Sequence, residues 1–108
     1  MTVEAFINEL GFESVCTPNP EREIRGAYVG DLLSWVMGRA SADDVWITIM
    51  SNLNIVAVAV LVDTSCILLA EGVTLDDDVL ETARSKGVNV LSTKLPAYEA
   101  AKKISDFL

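Results

Sequence analysis

Short runs of β-branched and other apolar residues recur along the chain, each closed by a turn and followed by a segment of helical periodicity. This alternation restricts the possible fold more than any other feature of the sequence. Val45-Trp46-Ile47-Thr48-Ile49-Met50, Cys66-Ile67-Leu68-Leu69-Ala70 and Val88-Asn89-Val90-Leu91 carry the strand-like composition. Strands separated by helices pair in parallel through right-handed crossovers, with helices covering both faces of the sheet. The pattern predicts an α/β fold: one three-layer α/β/α domain over residues 1–108, with a mostly parallel sheet of about five strands. At 108 residues and 51% apolar content the chain has the length and hydrophobicity for one such core.

The helices are marked by their ends. Thr2 is placed to cap a helix whose Val3, Phe6, Ile7 and Leu10 share one face, and Gly11 is placed to stop it. Phe12 to Cys16 reads as a strand, Thr17-Pro18-Asn19-Pro20 as a loop, and Glu23 to Val29 as a second strand. Gly30-Asp31 supplies a turn and an acidic cap for a helix over Leu32 to Ala40. On this helix Leu32, Leu33, Trp35, Val36 and Met37 span an arc of roughly 200°, wider than packing on one sheet requires, so part of it is expected to face another surface. Val45 to Met50 is assigned to the sheet centre. Leu53 to Val62 is apolar almost throughout, and periodicity leaves both strand and helix open. Its length, and the better strand that follows at Cys66 to Ala70, favour a buried helix. Asp76-Asp77-Asp78 opens a further helix, with Arg84, Lys86 and Gly87 at its end, and Pro96 opens the last one.

Composition excludes several kinds of function. A formal charge of −8 disfavours nucleic acid and anionic membranes, because both are bound chiefly through Lys and Arg. The longest apolar run, Ile55 to Val62, falls far short of the roughly 18 to 20 residues of a membrane span. Acids near the start argue against a secretion signal, so a cytoplasmic location is expected. There is no histidine, and the two cysteines, Cys16 and Cys66, lie far apart in sequence, so one chain offers no four-ligand metal set and both thiols are expected to be buried. No cofactor is expected. The missing histidine also removes the commonest general base, which leans against catalysis.

In open α/β sheets ligands bind outside the C-terminal ends of the strands. Four loops should gather there: Val29-Gly30-Asp31, Met50-Ser51-Asn52, Glu71-Gly72-Val73 and Ser92-Thr93-Lys94. Within them Ser51, Asn52, Ser92 and Thr93 supply hydroxyl and amide groups and Lys94 the one base, a set suited to a phosphate or carboxylate. The same residues also have ordinary structural uses, with Asp31 and Asn52 as helix caps and Ser92-Thr93 as a turn. No GxxxxGK[ST] loop is present. The acidic run at 76–78 is explained by helix capping and the helix dipole rather than by magnesium. Trp35 and Met37 on the wide arc point to a partner surface, and a homodimer is the expected form of it.

Tyr28-Val29-Gly30-Asp31, Ile67-Leu68-Leu69-Ala70-Glu71-Gly72 and Val88-Asn89-Val90-Leu91-Ser92-Thr93, in this order of elements, resemble the DRTGG domain from about Phe12 to Ile104. The resemblance implies a fold similar to the N-terminal domain of HPr kinase/phosphorylase, and helix rather than strand for Leu53 to Val62. It also implies a regulatory or accessory module, of the kind found in phosphotransacetylases and CBS-domain pyrophosphatases. Small stand-alone members occur near iron-only hydrogenase or iron–sulfur proteins, which implies a redox-complex partner as an alternative. Where the naming motif would follow the central strand, this chain has Ser51-Asn52-Leu53-Asn54, without the arginine, the acid or the glycines. The expected function is thus a non-catalytic, homodimeric regulatory module for a nucleotide or other anionic metabolite, with ligand contacts at Gly30, Asp31, Ser51, Asn52, Glu71, Gly72, Ser92, Thr93 and Lys94. A small-molecule enzyme using Lys94 or a carboxylate is a further alternative.

Overall fold

The computed structural model describes all 108 residues. Ten elements follow one another: α1 (Val3–Leu10), β1 (Glu13–Cys16), β2 (Gly26–Val29), α2 (Leu33–Arg39), β3 (Asp44–Thr48), α3 (Asn54–Val62), β4 (Cys66–Leu69), α4 (Asp77–Ser85), β5 (Val90–Ser92) and α5 (Ala97–Ser105). The strands form one sheet in the order β1-β5-β4-β3-β2. β2 to β5 run parallel, and β1 joins the edge antiparallel to β5. This is the mostly parallel α/β sheet that the alternation predicts.

Period-two alternation along the strands divides the core into two. Val45, Ile47, Cys66, Leu68 and Leu91 face α1 and α5 and pack with Val3, Phe6, Leu10, Ala100 and Ile104. Trp46, Ile67, Leu69 and Val90 face the other way and meet Val36, Ile55, Val58, Ala59, Val79 and Ala83 of α2, α3 and α4. Each large side chain so buried contributes about 1.5 to 3 kcal/mol, which is why β3 and β4, buried at every position, are apolar except for Asp44 and Thr48 at the two ends of β3.

Polar ties close the edge from which the parallel strands start. Arg22 bridges Asp43 at 3.0 Å and Asp63 at 2.9 Å, and also donates to the Asp63 carbonyl. Those two aspartates turn the chain with φ of 69° and 68°. Burial opposes the Arg22 charge, but its bonds to the two carboxylates outweigh that and raise its pKa. Buried Asn89 donates to the carbonyls of Asn19 and Ser65 and accepts from the Asn19 amide, fixing the proline loop against the sheet.

Several expectations hold in detail. Thr2 Oγ1 accepts from the Ala5 amide, and Gly11 ends α1 with φ 75°. Both cysteines are buried free thiols. Others are corrected. The second strand starts at Gly26, because the residues before it are drawn to the N-terminus: Thr2 bridges Glu23, and the Ile24 amide donates to the Met1 carbonyl. β4 is the central strand and β3 lies beside it. β3 ends at Thr48, since the Ile49 amide is taken by Asp31. Asp31 therefore does not cap α2, whose N-cap is Leu32 with no side-chain bond. α3 is a helix but only half buried: Ile55, Val56, Val58 and Ala59 face the core, while Leu53, Ala57, Val60 and Leu61 face outward.

Candidate functional site

Parallel pairing brings the loops after β2, β3, β4 and β5 to one edge of the sheet. Interstrand spacing of about 4.8 Å places the β2 and β5 ends roughly 14 Å apart, so the edge divides into two halves. The residues that the sequence singles out are shared between them.

The first half is built by Gly30, Asp31, Ser51 and Asn52. A Cβ at Gly30 would stand 2.8 Å from the Tyr28 ring, so a larger residue would displace that ring, and the Gly30 carbonyl accepts from Trp46 Nε1 at 2.9 Å. Asp31 Oδ1 accepts from Thr48 Oγ1 at 2.8 Å and from the Ile49 amide at 3.0 Å, and Thr48 Oγ1 in turn accepts from the Met50 amide. One carboxylate oxygen is thus committed to the end of β3, and the other is free. Asn52 Oδ1 accepts from the Asn54 amide, which makes it a turn residue at the start of α3, and Ser51 beside it is exposed. No pocket encloses these four residues.

The second half is a pocket of about 160 Å³ lined by Gly72, Val73, Thr74, Ser92, Thr93, Lys94 and Glu13. Glu71 and Gly72 turn with φ of 61° and 72°, conformations that cost little only at glycine. Their amides are spent on the neighbouring loop, Glu71 donating to the Leu95 carbonyl and Gly72 to that of Thr93. Thr93 Oγ1 accepts from the Leu95 amide, so this loop is a pinned turn with its hydroxyl hydrogen free to point elsewhere. Lys94 makes no ion pair. The pocket therefore offers three hydroxyls, one free ammonium group and one carboxylate within a volume suited to a single small group.

Gly72, Ser92, Thr93 and Lys94 are thus brought together, Glu71 stands beside them outside the pocket wall, and Gly30, Asp31, Ser51 and Asn52 lie across the sheet. Glu13 and Thr74 were missed by the sequence reading. Glu13 reaches the pocket only because β1 pairs antiparallel with β5, putting Glu13 opposite Ser92. No local signal announces that pairing. No cluster of three or more metal-ligating side chains is present. Burial pushes the Cys66 thiol up to about 12, and burial is also the main cause raising Cys16, against the lowering effect of Arg84. Neither thiol is poised as a ligand or nucleophile. The Trp35 ring is exposed and carries the Arg39 guanidinium 3.7 Å above it, and Met37 is exposed as well.

No curated protein matches the sequence. Among solved structures, the fold is similar to the CBS and DRTGG domains of the regulatory region of Clostridium perfringens pyrophosphatase, a complex with its activator diadenosine tetraphosphate. The TM-score is 0.74 at 16% identity, over 95% of this chain and 45% of that one. This chain therefore spans less than half of that regulatory region. No helix is long and apolar enough to cross a membrane. A family model, the DRTGG domain, matches residues 7–107. The chain belongs to the DRTGG domain family.

Proposed function

We propose that residues 1–108 act as a regulatory, non-catalytic module that binds a nucleotide or other anionic metabolite at the strand C-terminal edge. One observation carries the reading: Ser92, Thr93, Thr74 and the unpaired Lys94 line one small pocket. The likeness to a regulatory region in complex with diadenosine tetraphosphate supports a nucleotide as the ligand class. The separation of roughly 14 Å between the two halves suits a ligand with two ends joined by a charged linker, one end in the pocket and the other near Asp31 and Asn52. Homodimerisation belongs to the same reading, supported by the exposed apolar side chains Leu32, Trp35 and Met37 of the α2 segment and Val60 and Leu61 of α3. A redox-complex partner rests on the family resemblance alone. A small-molecule enzyme is the second reading, favoured only by the presence of Lys94 and Glu13 in one pocket. Turnover of an acyl phosphate that vanishes in Lys94→Ala would establish it.

The test is thermal unfolding with diadenosine tetraphosphate, ATP, AMP and acetyl phosphate. A ligand at about a hundred times its dissociation constant adds about 2.7 kcal/mol. For a chain of this length that raises Tm by roughly 10 °C. Lys94→Ala should abolish the rise, and Ser51→Ala with Asn52→Ala should reduce it for the two-ended ligand only. No rise with any of these compounds overturns the proposal.

A further inference from the structure

Glu13 and Lys94 stand in the wall of one pocket of about 160 Å³ and yet do not pair, since neither enters any ion pair of the chain. The order of the strands fixes where each charge lies. Glu13 begins β1 at the rim of the sheet, opposite Ser92, and Lys94 follows β5, one strand inward. The ends of β4, β3 and β2 continue in the same direction. A ligand laid along this edge therefore meets the carboxylate at its outer end and the ammonium group next to it. An ionised carboxylate only accepts hydrogen bonds. It repels a bare anion held by Lys94, and it is satisfied by a ligand that presents donors at that end. Inorganic phosphate and acyl phosphates have none to present. The pair matches a phosphate flanked by hydroxyl groups.

We infer that Glu13 accepts the two adjacent hydroxyls of a ribose whose 5′-phosphate pairs with Lys94, so that the pocket selects nucleotides with an intact ribose diol. The inference rests on the reading that this pocket receives a nucleotide, and it adds the part of the nucleotide that is recognised there. A carboxylate that no cation holds has one oxygen for each of two neighbouring hydroxyls, which is how an acidic side chain meets ribose in dinucleotide-binding α/β sheets. Ser92, across from Glu13 in the sheet, and Thr74, from the loop after β4, carry hydroxyls that both donate and accept, which suits the oxygens between sugar and phosphate. Further phosphates extend inward from Lys94, away from Glu13, and leave the outer end of the pocket to the sugar. Glu13 thus acts on specificity rather than on total charge: it opposes the phosphates and is compensated only when the diol is present.

Isothermal titration calorimetry of the full chain with ATP and 2′,3′-dideoxy-ATP gives the test. Wild type should bind ATP at least about tenfold more tightly, the factor that one hydrogen bond to a charged group supplies. Glu13→Ala should weaken ATP to the level of the dideoxy compound. It should leave the dideoxy compound unchanged or slightly tighter, because a negative charge near its phosphates is gone. A merely structural role for Glu13 would weaken both ligands alike. Glu13 is exposed, so circular dichroism of the variant should match wild type. Equal wild-type affinity for the two nucleotides overturns the inference and leaves the nucleotide reading standing. So does a Glu13→Ala protein that prefers ATP by the wild-type factor. Binding of neither removes the nucleotide reading and the inference with it.

Discussion

Asn89 is the side chain whose loss the structure prices most clearly. It is 2% exposed and makes three hydrogen bonds, to the Asn19 amide at 2.9 Å, the Asn19 carbonyl at 2.8 Å and the Ser65 carbonyl at 3.0 Å. Asn89→Ala leaves three backbone groups without partners. Each such bond has a net worth of about 1 kcal/mol, and water can reach the Asn19 pair more easily than Ser65, so the expected loss is about 2 to 3 kcal/mol. In urea unfolding at pH 7 this lowers the midpoint with m unchanged, and in a thermal scan it lowers Tm by roughly 10 °C. Asn89→Asp sharpens the reasoning. It keeps an acceptor for the Asn19 amide but turns the group that faces two carbonyls into a carboxyl, which the fold must hold protonated. Its folded pKa is therefore raised above the unfolded value of about 4. The sign follows: below pH 4 both states are protonated and the penalty is least, and as pH rises the unfolded chain releases its proton first, so stability falls. A loss under about 1 kcal/mol for Asn89→Ala, or an Asn89→Asp protein whose deficit is the same at pH 3 and pH 7, refutes this account of the loop.

Asp31→Ala should cost about 1 to 2 kcal/mol in thermal unfolding by stranding the buried Thr48 hydroxyl and the Ile49 amide, and Asp31→Asn, which keeps the acceptor, should recover most of it. The Cys66 thiol, ordinarily at 9.0, is pushed up to about 12 by burial, so the protonated form favours the fold. Stability from it is present below pH 9 and is lost as pH rises toward 12; urea midpoints measured across that range should fall less steeply in Cys66→Ala than in wild type. At the strand ends Lys94 is the only cation among the four loops, beside Glu13, Asp31 and Glu71. A polyphosphate should accordingly raise Tm more in magnesium than in EDTA, whereas an equal rise in both would show that Lys94 alone neutralises it.

Much of the fold is legible locally because its signals act within one or two turns of chain. Thr2 and Gly11 bound α1, and the apolar runs at Val45 and Cys66 are strands, as composition indicates; α4 starts at the acidic run, but Asp76 makes no side-chain cap bond, so there the acids act through the helix dipole rather than as a cap. The candidate site is only partly legible. Gly72, Ser92, Thr93 and Lys94 are found by the rule that ligands meet strand C-termini, and the parallel order of the sheet brings their two loops to one pocket. Asp31 shows the limit. A residue just before a helix is a natural cap, but Thr48 and the Ile49 amide, on the adjacent strand, offered its carboxylate better partners.

By itself the sequence determined the order of the elements, the kind of nearly all of them and the α/β class, because propensity, periodicity and turn chemistry are properties of neighbouring residues. Tertiary structure alone decided that β1 pairs with the last strand, which carries Glu13 to the pocket, and that β4 rather than β3 is central. It also decided that only one side of α3 is covered. These are contacts between distant segments, and an apolar residue records only that it prefers to leave water. Whether the sheet, a neighbouring helix or a second chain receives it depends on how many layers the fold provides.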